Sequence, residues 1–388
     1  MTKGRNELSI TYATTHDPMD VRAWSGTVYH TARALEQKGV HIEYLGELAR
    51  NQVIVNKAIN KLTKMTALGE MFPVERTERM AELFAGRIRQ HLMTSRTDLV
   101  FSPGSIPLSR LRSKRPKVFY TDATFAGILA GDPAWNKYPK RYLAMGHALE
   151  QASLDNCDLA IYASQWAART ARENYEVDEA KIRVVPFGAN LTTAPTAADV
   201  ARAISERTDE ECQLLFVGVN WVNKGGPKAL ETARILNERG LRTRIHLVGC
   251  QPEVDDLPEW ATAYGFISKE TQEGRDRIAG LFGSAHFLVL PTLADCLGLV
   301  FCEANAFGVP AMANDVGGVG EVVKPGINGD LFPADAPARD WADRIAAIFA
   351  DRSAYKDMAA RSRVQFDERL NWDVAAGSIK SHLEQLVG

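Results

Sequence analysis

Long apolar runs are missing from this sequence. No stretch of its 388 residues approaches the roughly 18 consecutive apolar residues that a membrane-spanning helix needs. The segment Met1-Thr2-Lys3-Gly4-Arg5-Asn6-Glu7 enters a short strand without the apolar core of a secretory signal. Cysteine is sparse: Cys157, Cys212, Cys250, Cys296 and Cys302 are scattered, odd in number and never at CxxC spacing. That excludes a disulfide scaffold and a zinc knuckle and reads as reduced thiols in the cytoplasm. There is no Asp-x-Asp metal motif, so no metal site is expected, and nothing has the layout of a nucleic-acid module.

Net charge is also lacking, with 46 basic against 48 acidic side chains. The balance conceals an asymmetry. Residues 1–190 carry about 26 basic and 20 acidic groups, leaving about 20 and 28 for the rest. The excess gathers in Arg110 to Lys117 and Lys137 to Arg141. It reads as a solvated face or as a docking surface for anionic lipid or an anionic acceptor. Val53 to Leu68, with Lys57, Lys61 and Lys64 among apolar residues, reads as a helix that covers a sheet or lies on a membrane surface. The localisation expected is cytoplasmic, with peripheral contact at the inner membrane face as the alternative.

What is present is an ordinary globular composition, 45% hydrophobic and 24% charged, in a chain long enough for two full cores. Leu8 to Ala13 reads as a strand, Thr27 to Lys38 as an amphipathic helix and Val40 to Leu45 as a second strand, which is a βαβ unit. Gly26, at the loop-to-helix junction, permits close approach of a ligand to backbone, or is a turn residue. Helices are predicted over Asn51 to Leu68 and Val74 to Met93. The strands Leu99-Val100-Phe101 and Val118-Phe119-Tyr120 would direct Ser102, Gly104, Asp122 and Thr124 toward a ligand crevice. Asp122 reads equally as the cap of a helix from Thr124 to Leu129. Leu191 to Pro195 reads as a linker. A second series then begins with the strand Gln213 to Val217 and the loop Gly218 to Gly226, in which Lys224 can place a point charge on a diphosphate. Two helices, Ala336 to Asp351 and Arg352 to Leu370, precede a last helix over Asp373 to Val387.

The densest stretch runs from Pro291 to Gly329. It follows the buried strand His286 to Leu290 and contains a helix-like run, Leu299 to Phe307, stopped by Gly308-Val309-Pro310. Backbone N–H groups around Leu297, Gly298 and Leu299 would open that helix and suit a phosphate. Glu303 sits on a helix apolar nearly all round, which is costly for a carboxylate without a partner. Sugar or ribose hydroxyls would supply one; so would a neighbouring Arg or Lys.

Asp295, seven intervening residues and Glu303, followed by Gly317-Gly318-Val319-Gly320-Glu321, resembles the signature of the family-4 retaining glycosyltransferases. Asp295 stands where that family usually has Glu, Leu297 where it has an aromatic, and Val219 where it has the Arg that accompanies Lys224-Gly225. The resemblance is specific from about Gln213 to Asp330 and weak before residue 190. It implies the GT-B fold: two α/β Rossmann-like domains facing across a cleft. These would be residues 1–194 for the acceptor, with 373–388 packed back on them, and 195–372 for the nucleotide-sugar.

The resemblance also implies an activity, transfer of a hexose from a nucleotide-sugar donor of UDP type to a hydroxyl acceptor (a glycan or a lipid-linked group) with retention and without a metal or other cofactor. Lys224, with Asn220 or Asn223 in support, and the N–H groups near Gly298 and Leu299 would neutralise the departing diphosphate. Glu303 would hold the ribose, Asp295 the sugar, and Phe266 and Ile267 the base. Asp122 stands where many members have a catalytic His, and Gly26 where they have a glycine-bearing loop. A nucleotide-sugar epimerase or phosphorylase of the same fold, or a non-catalytic binder, stays open.

Overall fold

The computed structural model describes residues 7–66, 71–131, 135, 137–254 and 256–388. Met1 to Asn6 and the end of the helix predicted to Leu68 lie outside them. The chain forms two compact units, one of Met1–Pro186 with Trp372–Gly388 and the other of Phe187–Asn371.

In the first unit the strands β1 (Ser9–Ala13), β2 (His41–Leu45), β3 (Leu99–Pro103), β4 (Lys117–Thr121), β5 (Leu159–Tyr162) and β6 (Ile182–Val184) form one sheet in the order β2-β1-β3-β4-β5-β6. Every pairing is parallel. Such strands are covered on both faces and read as continuous apolar runs rather than alternation. Accordingly all five residues of β3 and of β4 are buried. The terminal helix Trp372–Val387 packs in this unit through buried Ala375, Ala376, Ile379 and Leu383. Lys38 pairs with its Asp373 at 2.6 Å, and Lys380 Nζ donates to Lys38 O at 2.8 Å.

The second unit repeats the plan with β7 (Cys212–Val217), β8 (Thr243–Val248), β9 (Ala261–Gly265), β10 (Phe287–Leu290), β11 (Ala311–Asn314) and β12 (Gly329–Phe332), ordered β12-β11-β10-β7-β8-β9 and all parallel. The reversal of order between β10 and β7 is the topological switch point at which open α/β sheets hold ligands.

Several local features depart from the sequence reading. The helix Glu78–Leu92 starts later than Val74 because Thr77 caps it, accepting from Met80 N–H. Helix Ala197–Glu206, capped by Thr196, and the four-residue β12 escape a pattern reading. The segment from Phe187, including the expected linker Leu191 to Pro195, belongs to the second unit, where Arg363 donates to Pro195 O at 2.8 Å.

Candidate functional site

The loops that leave adjacent strands at the switch point meet. Lys224 follows β7 and Asp295 follows β10, and their Nζ and Oδ2 lie 2.6 Å apart with both side chains largely buried. Backbone fixes this meeting. Leu293 N–H donates to Asn223 O at 2.9 Å, and Asn223 N–H donates to Asn220 Oδ1 at 2.9 Å. Asn220 thereby closes its own turn. Asn314, at the end of β11, donates to both Pro291 O and Thr292 O at 3.1 Å.

Glycines allow the loops to come this close. Gly225 has φ +75°, and a Cβ there would lie 2.0 Å from Pro291 O. Gly317 has φ +54°, and a Cβ there would lie 1.9 Å from Asp295 O; the same oxygen accepts from Gly318 N–H at 3.2 Å. The Gly-Gly pair of the sequence signature is thus the seat on which the Asp295 backbone rests.

Two helices open here. Gly225 and Gly298, both left-handed, precede Gly226–Glu238 and Leu299–Ala306, and neither start is capped by a side chain. At the first start Gly226 N–H is taken by Trp221 O at 2.8 Å and Pro227 has no N–H, so that helix offers mainly the positive end of its dipole. Together with the start of the second helix beside a lysine, it makes a local environment that favours an anion. Leu297 itself is buried as a side chain, so only its backbone is available to a ligand.

Glu303 is buried on the Leu299–Ala306 helix, and its Oε1 accepts from Lys269 Nζ at 2.5 Å. Of the two partners that the sequence left open, the structure shows the lysine. Lys269 comes from the loop after β9, and no signal in its sequence neighbours sets it apart from a solvated loop residue. Phe266, in the same loop, is 73% exposed and Ile267 is half-buried. Val219 is exposed, at the position where the family has an Arg.

Two further expected residues belong to the first unit. Gly26 is buried with φ +90° and opens the helix Thr27–Gln37, directly after Trp24 and Ser25, which are also left-handed. Asp122 follows β4 and is half-buried. The cap of the next helix, Phe125–Gly131, is Thr124, whose Oγ1 accepts from Gly127 N–H at 3.1 Å. The capping alternative for Asp122 is therefore filled by its neighbour.

Two all-parallel sheets, with a cation and glycine-led helix starts at the switch point of the second, define a pair of Rossmann-like α/β units. The model for "Glycosyl transferases group 1" matches residues 198–365, and that for "Glycosyltransferase Family 4" matches residues 26–193. The chain belongs to the family-4 glycosyltransferases of GT-B fold. D-inositol 3-phosphate glycosyltransferase of Rhodococcus erythropolis is 29% identical over 252 residues, covering 61% of this chain and 56% of that protein. The Nocardia farcinica protein of the same name is 30% identical, covering 55% and 49%. The chain thus spans about half the length of these curated relatives. Among solved structures, sucrose-phosphate synthase from Thermosynechococcus elongatus superposes with a TM-score of 0.70 at 19% identity, covering 98% of this chain and 99% of that one. Anabaena HepE in complex with UDP-glucose gives 0.62 at 16%, covering 98% and 100%.

Proposed function

We propose that the protein transfers a hexose from a nucleotide-sugar, UDP-linked as in the HepE complex, to a hydroxyl of a glycan or lipid-linked acceptor with retention of configuration. The observation that carries this is the Lys224–Asp295 pair set between two uncapped helix starts. Breaking a glycosyl–phosphate bond leaves negative charge on the diphosphate and positive charge on the sugar ring. Lys224, the N–H groups after Gly298 and the dipole of the helix after Gly225 oppose the first; Asp295 opposes the second. Charges fixed in place before reaction are the largest contribution an enzyme makes to such a step.

In this reading Glu303 takes the ribose hydroxyls and the loop of Phe266 and Ile267 takes the base, while Asp122 serves the reaction and the Gly26 loop the nucleotide-sugar from the first unit. The acceptor attacks from the face that the diphosphate leaves, and a phosphate oxygen receives its proton. The lysine and helix ends supply the charge that a metal supplies elsewhere, so the reaction proceeds without one. The setting is cytoplasmic, at the inner face of a membrane.

The test compares two variants. Lys224→Ala should lower kcat/KM by about 3 kcal/mol of transition-state stabilisation, whereas Glu303→Ala should chiefly raise the Kd for UDP in a calorimetric titration. Unchanged turnover in Lys224→Ala sinks the assignment. Turnover that requires inorganic phosphate would make the protein a phosphorylase instead.

A further inference from the structure

Helix Arg50–Thr66 is amphipathic in the opposite sense to a core-covering helix. The side against the protein carries Val53, Asn56 and Asn60, all buried. Asn60 is held at both ends of its carboxamide: Nδ2 donates to Phe72 O at 2.6 Å, and Oδ1 accepts from Phe72 N–H at 3.2 Å. Asn56 Nδ2 donates to Val74 O at 3.2 Å. These bonds fix the rotation of the helix about its axis, and the rotation sends its large apolar residues outward. Ile54 is 55% exposed, Leu62 61% and Met65 74%, with Val55 and Ile59 nearly half exposed. At about 100° per residue these five form one continuous band. Lys57, Lys61 and Lys64, all exposed, form the flank beside it. The helix contains no Asp or Glu, and Arg50 at its start pairs with Glu47.

We propose that this face docks the protein on a bilayer carrying anionic headgroups. The band from Ile54 to Met65 would seat at the boundary between headgroups and acyl chains, while the three lysines meet lipid phosphates. Charge complementarity selects this occupant. A second copy of the chain would bring the same lysines together, and the helix offers no carboxylate to meet them. A lysine near an anionic surface strengthens partitioning about fivefold at low ionic strength, and the apolar band supplies the non-electrostatic part. No helix among the described residues is long and apolar enough to cross a membrane, so the contact lies in the surface plane. The inference gives the membrane setting proposed above a structural element, and it stands independently of the nucleotide site.

The experiment is co-sedimentation of the purified chain with vesicles of phosphatidylcholine, with and without phosphatidylglycerol, at low and high salt. The expected result is binding to the phosphatidylglycerol vesicles that weakens with salt. The double variant Ile59→Asp/Leu62→Asp should bind at least tenfold more weakly. The triple variant Lys57→Gln/Lys61→Gln/Lys64→Gln should lose about a hundredfold at low salt. Both should keep the parent melting temperature, since the altered side chains are exposed. Equal binding by parent and variants, no binding to either vesicle, or a dimer in light scattering that Leu62→Asp abolishes would each overturn the proposal. UDP titration of the same samples separates this outcome from a failure of the nucleotide site.

Discussion

At the scale of single residues, Gly317 carries more of the site than its lack of a side chain suggests. Its left-handed backbone and the closeness of Asp295 O leave no room for a methyl group. Gly317→Ala should cost about 3 kcal/mol of stability, combining a strained φ with a backbone clash, and should displace Asp295 from Lys224. Urea denaturation reads the first effect, and loss of donor turnover in the protein that remains folded reads the second. Lys269 poses a different question, because it occupies the carboxylate assigned to the ribose. The lysine is 41% exposed but the carboxylate it meets only 5%, so water cannot take over its role. Lys269→Met should therefore cost about 3 kcal/mol of stability in the absence of ligand. It should also tighten UDP several-fold, since ribose hydroxyls would no longer compete with an ammonium for Glu303. Calorimetry with UDP measures this; weaker binding would show instead that Lys269 and the nucleotide engage Glu303 together.

At the scale of elements, β10 is held to β7 by a histidine as well as by its ladder. His286 Nδ1 accepts from Gln213 N–H and Nε2 donates to Thr208 O, both at 2.9 Å, which requires the neutral ring. Burial pushes its pKa down to about 4, and the positive charge of Arg207 adds to the shift. An unfolded histidine titrates near 6.5, so between these values the unfolded chain binds a proton that the folded one refuses. The contribution of His286 is complete above about pH 6.5 and is lost on acidification toward pH 4. It amounts to about 2 kcal/mol of lost stability at pH 5 relative to pH 7.5. Denaturation curves at the two pH values should show this difference, and His286→Gln should flatten it. The elements themselves were unequally legible. Buried parallel strands such as β3, β4 and β10 announce themselves as short apolar runs. β12 does not, because Gly329-Asp330-Leu331-Phe332 has no such run and becomes a strand only by pairing with β11.

At the scale of the whole molecule, the residues assigned to the donor, the Gly26 loop apart, all lie in the continuous unit Phe187–Asn371, which has its own sheet and core. Binding energy should appear where the contacts are. In hydrogen exchange, UDP should raise the protection of residues 218–226, 266–271 and 291–303 while leaving the strands of the first unit unchanged. Protection confined to the first unit would place the nucleotide elsewhere.

The sequence by itself determined the two parallel α/β units and the placement of Asp295 and Glu303 along one loop and helix, because apolar runs, glycine positions and the spacing of acids are local properties. It could not determine partners brought together by the fold. Lys269 meets Glu303, Gly317 backs onto Asp295 O, and Thr124 takes the cap open to Asp122 only once distant segments are packed. The helix at Arg50–Thr66 makes the same point most plainly. Its composition allowed either face to be buried, and the choice was made by two asparagines finding the backbone of Phe72 and Val74. Burying those amides with their hydrogen bonds satisfied turned the apolar band outward, and no periodicity in the sequence contains that decision.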